Sequence, residues 1–167
     1  MSVSTRIPAP PFDPSVSVPP TQTRIKGPMI LLEFNELSPA LMDTFIEQGH
    51  LPNFKRLRDS SQAFITDAEE VAPNLDPWIQ WVTLHSGLSF DEHGIHHLGD
   101  GHKLAVRSLW DMIAAQGETV WVCGSMNIKY DKPIKGAVVP DPWTVGTSPF
   151  PEELAPYYLF VQRNVQE

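Results

Sequence analysis

The chain has 167 residues, 41% of them hydrophobic and five of them tryptophan, which is long enough for one domain with a core of its own. Twelve Lys and Arg against twenty Asp and Glu leave a formal charge of -8, and no basic stripe offsets it, so a nucleic-acid groove built on phosphate neutralisation is not expected. The single cysteine, Cys123, excludes an intrachain disulfide framework and a multi-cysteine zinc site; no apolar run reaches membrane-span length and the first residues lack a signal-peptide core, so a cytoplasmic protein without a membrane span is expected.

Residues 1–28 are rich in Pro, Ser, Thr and Val, with little apolar periodicity. Such a stretch cannot bury enough surface to offset its ordering entropy, and it reads as a disordered Pro-rich tail. The domain then runs over 29–167. Met29–Phe34 is a short apolar run that suits a buried parallel strand. Ser38 as cap and Pro39 at the first helical position start a helix over Ala40–Gln48, with Leu41, Phe45 and Ile46 facing inward and Gly49 as the stop. A second short helix covers Asn53–Arg58, with Phe54 and Leu57 inward, and Ala63–Thr66 reads as a further strand.

The stretch from Pro73 to Gly99 carries the strongest signals. Asp76 stands at an N-cap, Pro77 occupies the first helical position, and Trp78, Ile79 and Val82 follow at helical spacing until Gly87 closes the helix. A His-rich turn follows. Val106–Gln116 reads as another helix with Leu109, Trp110 and Ile113 inward, ended by Gly117. Thr119–Cys123 is a strong strand closed by Gly124 and Ser125, Gly136–Val139 is a further short one, and a helix begins within Leu154–Val165. Strands and helices alternating in this way predict an α/β fold with right-handed crossovers and a mostly parallel sheet.

In open α/β sheets, ligands bind at the carboxyl ends of strands. That rule selects Asn35 and Glu36, Asp76, the Ser125–Asn127 turn and Asp141. Asn35, Glu36 and Asp76 offer oxygen atoms suited to a divalent cation, and a helix N-terminus also favours a phosphate. Each has a plainer alternative: Asp76 as a helix cap, Asn35 and Glu36 as a turn, Ser125 and Asn127 as turn residues. His93, His96 and His97 have a spacing that zinc could use, but the preferred reading is a polar turn whose imidazoles bond backbone groups. There is no phosphate-binding glycine loop and no Gly-x-Ser-x-Gly elbow.

Several blocks, in order, resemble the type I phosphodiesterase/nucleotide pyrophosphatase branch of the alkaline phosphatase superfamily. Ile30–Leu37, ILLEFNEL, resembles its first strand and metal-binding Asp-Gly-Leu; His50–Leu57, HLPNFKRL, resembles its Pro-Asn block; Trp81–Ile95 resembles Thr-Gly-Leu followed by His-Gly-Ile; Trp121–Met126 resembles the next strand. The central stretch is also similar to the Glu-Pro-Trp-Ile-Gln-Trp-Val…His-Thr-Gly run of a bacterial subgroup of alkaline-phosphatase family proteins. The resemblance implies a partial doubly wound sheet with helices on both faces. It implies a metal-dependent hydrolase of phosphate esters, with divalent ions, zinc foremost, at Asn35, Glu36 and Asp76, and with Asp76 as the catalytic group. Asn35, however, stands where the family has Asp, Glu36 where it has Gly, and Leu75 where it has the nucleophile. The family's later ligands, an Asp-x-x-x-His set, an Asp-His pair and a distant His, find no counterpart here. The expectation is therefore an N-terminal portion, inactive alone, that needs a further C-terminal part or a partner chain to act on a phosphate ester. A non-catalytic binding or assembly protein, or a truncated gene product, is the alternative.

Overall fold

The computed structural model describes residues 27–68 and 70–166; nearly all of the Pro-rich stretch therefore lies outside the described residues. The chain divides between Leu32 and Glu33 into two units. In the first, Met29–Leu32 forms no strand, and its four apolar side chains are 56–80% exposed. The expected strand over Met29–Phe34 is thus not formed, and Phe34 too is exposed. The run has a strand's composition, but a strand exists only where a ladder partner takes its backbone groups. The same holds for Ala63–Thr66, which is irregular, with Ile65 99% exposed.

The second unit mixes helix and strand. Its helices are α1 (Pro39–Glu47), α2 (Pro52–Asp59), α3 (Pro77–Ser86), α4 (Phe90–His93), α5 (Leu109–Ala114) and α6 (Ala155–Gln166). Its sheet has two parallel strands among the described residues, β1 (Val120–Cys123) and β2 (Gly136–Val139), in register from Val120 opposite Gly136 to Cys123 opposite Val139. Gly136 is required there: its φ is +131°, and a β-carbon would lie 1.8 Å from the Val120 carbonyl oxygen. Phe150 closes the far edge of β2 through a pair of backbone bonds with Val138 at 2.7 and 2.8 Å.

The core gathers around this pair. Trp110 of α5, Val120, Ile128, Tyr130, Ile134 and Val138 pack together, with Ile128 and Val138 fully buried. Burying each such aliphatic side chain contributes about 1.5–3 kcal/mol. The Trp110 indole N–H is not left unpaired, because it donates to the Lys129 carbonyl at 2.7 Å. A second cluster joins Val82 of α3 to Ile95 and Leu104. Helix α5 begins at Leu109 rather than Val106, because Ser108 and Asp111 form a capping box, the Ser108 N–H donating to Asp111 Oδ2 at 3.2 Å. Helix α1 buries Ile46 as expected, but Leu41 and Phe45 stay exposed.

Helix α3 begins and ends where the sequence signals place it, with Pro77 at its first position and Gly87 left-handed at φ +72°. The capping differs from expectation. Asp76 holds the N-cap position, yet its carboxylate bonds no first-turn N–H; its own carbonyl takes those of Ile79 and Gln80 at 2.9 and 3.1 Å. The Ile79 N–H, one of the two that a capping side chain could bind, is already used.

Candidate functional site at the end of the first strand

At the carboxyl end of β1 the chain turns through Gly124 into Ser125, which is 5% exposed. Its hydroxyl donates to Glu33 Oε2 at 3.2 Å. The other carboxylate oxygen of Glu33 lies 2.5 Å from Nε2 of His85, which is 3% exposed in the last turn of α3. Ser125 Oγ is 3.5 Å from the same ring nitrogen. Glu33 and Ser125 therefore share one nitrogen of the imidazole, and the three groups do not form a relay in which serine and acid occupy opposite ring nitrogens. Burial alone would raise the Glu33 carboxyl, but the hydrogen bond and charge of His85 and the hydroxyl of Ser125 outweigh it and hold that carboxyl below the usual range. The His85 ring stacks on Trp81 (6.0 Å, 16°) and tilts against Trp110 at 4.8 Å.

Two and three residues beyond Glu33, Asn35 and Glu36 are exposed on a chain reversal. Glu36 adopts φ +57°, a region in which a residue with a β-carbon is strained. Both line an open depression of about 400 Å³ against α3, together with Leu75, Pro77, Gln80 and Trp81. Asp76 is half-buried between Leu75 and Pro77, which line the depression, though Asp76 itself does not. The structure thus places Asn35 and Glu36 beside the start of α3, whereas Asp76, at the N-cap of that helix, is outside the lining they share with Leu75 and Pro77. These groups offer only amide and carboxylate oxygens, a set that suits magnesium or manganese better than zinc. Among the described residues, no group of three or more His, Cys, Asp and Glu side chains is gathered as a metal would need.

The other candidates serve the fold. Asn127, left-handed at φ +52°, uses its whole amide: Oδ1 accepts from Gly99 and Gly101 N–H at 2.8 and 3.2 Å, and Nδ2 donates to the Trp78 and His97 carbonyls at 2.8 and 3.1 Å. Asp141 is buried at the end of β2, where it accepts the Trp143 N–H at 2.9 Å and the Thr144 hydroxyl, and burial raises its carboxyl above the usual range. In the His-rich turn, His93 Nδ1 accepts the Ile95 N–H at 3.0 Å and Nε2 faces Thr83 Oγ1 at 3.1 Å, so both ring nitrogens have partners within the protein.

Glu33 and His85 lie inside the ILLEFNEL and Trp-Val…His blocks, but neither holds a position that the resemblance assigns to the site. The available signals were a lone carboxylate inside the apolar run Met29–Phe34 and a histidine one turn beyond Trp81 on the face shared with Val82. Comparisons with protein-family models, curated proteins and solved structures return no match to this chain. Among the described residues no helix is long and apolar enough to cross a membrane.

Proposed function

We propose that these residues are the N-terminal portion of a phosphate-ester hydrolase of the alkaline-phosphatase type, a cation-binding half-site that does not turn over substrate by itself. The observation that carries this reading is the backbone of Glu36. Its φ of +57° is a conformation that favours glycine, and Glu36 occupies the position at which the resembled family has Gly after its metal-binding residue. A strained residue held at a reversal beside a helix start is where backbone strain is commonly kept for function.

In this reading Asn35, Glu36 and Asp76 hold a divalent cation, and Asp76 is the catalytic group. Divalent ions of this class stabilise the attacking and leaving oxygens of the ester. The reading carries with it a doubly wound sheet with helices on both faces, completed by further chain or by a partner, and a cytoplasmic setting compatible with the exposed thiol of Cys123. Leu75 favours a second reading, a non-catalytic binding protein: it is 48% exposed and lines the depression at the position where the family has its nucleophile.

Calorimetric titration with manganese, magnesium and zinc tests the proposal. Binding by the full chain that is weakened in Glu36→Ala and Asp76→Ala supports it. Equal binding by all three proteins removes these residues from any site. Binding of a phosphate ester without cation dependence favours the second reading.

A further inference from the structure

Three observations converge on a residue that touches neither the depression nor a ligand in it. Glu33 is tied through both carboxylate oxygens, one to His85 of α3 at 2.5 Å and the other to Ser125 after β1 at 3.2 Å. Both partners are almost fully buried, whereas Asn35 and Glu36, just beyond, are exposed. Trp81 is common to the two places, because it stacks on His85 and also lines the depression.

An exposed reversal with a strained residue does not hold its shape unaided. Two ties precede it: the Phe34 ring meets Phe54 of α2 edge-on at 5.9 Å but is half exposed, and Glu33 bonds two buried partners. We propose that Glu33 is a positioning residue: gripped by His85 and Ser125, it fixes the reversal that presents Asn35 and Glu36 to the depression beside α3. The consequence for cation binding rests on the function proposed above, while the positioning itself does not. Charge-assisted bonds to a partly buried carboxylate are the stronger kind, so losing them releases more than an ordinary surface contact would.

The test uses the full chain with Glu33→Ala, Glu33→Gln and Ser125→Ala, and two readouts. In backbone nitrogen-15 relaxation, Glu33→Ala should lower the order parameters of Asn35–Leu37 to below about 0.6, the flexible range, while β1 and α5 keep theirs. Ser125→Ala, which removes one bond, should fall between it and the parent, and Glu33→Gln, which can still bond both partners, should restore much of the order. In manganese titration, Glu33→Ala should weaken binding by about 10–100-fold, the usual cost of losing a group that orients ligands from behind. Unchanged order parameters at Asn35–Leu37 in both Glu33→Ala and Ser125→Ala would overturn the positioning. Should Glu33→Ala not fold, Ser125→Ala decides by the same readout. Should the parent chain bind no manganese, the cation reading fails on its own, and the relaxation arm still upholds or overturns the positioning.

Discussion

The side-chain oxygen of Asn127 accepts the N–H of Gly101 at 3.2 Å, and a β-carbon on Gly101 would lie 2.1 Å from the carbonyl oxygen of the same asparagine. Backbone and amide therefore meet with no atom to spare. Removing the amide in Asn127→Ala leaves two N–H and two carbonyl groups without their partner, each worth about 1–3 kcal/mol when it stays buried. We expect a loss of about 3 kcal/mol or more in urea unfolding. Gly101→Ala should cost at least as much, because backbone rather than a flexible side chain must move. The two changes damage one contact, so the double variant should lose much less than the sum.

A stability measurement separates strain from function at Glu36. Glu36→Gly relieves the left-handed backbone, a gain of about 1 kcal/mol that the freer unfolded chain partly offsets. The expected result is a melting temperature equal to or slightly above the parent's, together with weaker manganese binding. A clear loss of stability would mean that the Glu36 side chain has a structural role.

Elements whose signals are local were legible in the sequence. Pro77 and Gly87 bracket α3 because a missing N–H and a left-handed φ are properties of single residues. Val120–Cys123 and Gly136–Val139 were legible for a similar reason, as short apolar runs beside glycine. Met29–Phe34 has the same composition, but pairing is not a local property and the run carries no ladder. Of the site, Ser125 was reachable through the strand-end rule. Glu33 was not, because its partners lie 52 and 92 residues further along the chain and no motif links them. Asp76 was placed correctly as an N-cap, but whether its carboxylate reaches a first-turn N–H depends on backbone geometry and rotamer that composition does not encode.

His93 gives a pH signature. Burial pushes its pKa down, with His96 adding to this and Glu70 opposing it. The unfolded chain then binds the proton more readily than the folded one, so the stability tied to neutral His93 is complete above the unfolded pKa of about 6.5 and is lost as pH falls toward the folded value. His93→Asn keeps an acceptor for the Ile95 N–H without a titrating ring. The stability advantage of the parent over this variant should therefore shrink between about pH 8 and pH 5. A constant difference across that range would show that His93 does not titrate on unfolding.

Trp121 is 79% exposed on β1, and Cys123, two residues on, is exposed as well. An aromatic standing free on a short strand invites self-association. Trp121→Lys should raise the concentration at which the chain stays monomeric in light scattering and leave its melting temperature nearly unchanged. A large fall in melting temperature would show that the indole serves the fold.

The bond between Glu33 and Ser125 also sets an order of events in time. It spans 92 residues, whereas β1 and β2 meet after the short crossover from Val120 to Gly136. Closing the longer loop costs about 1.5 kcal/mol more chain entropy than closing the shorter one. The strand pair and the tryptophan core around it can therefore assemble first, and the Glu33 carboxylate arrives at a partner already in place. Run backwards, the same difference makes that carboxylate an early point of release, so the reversal it holds comes free while the sheet is still intact.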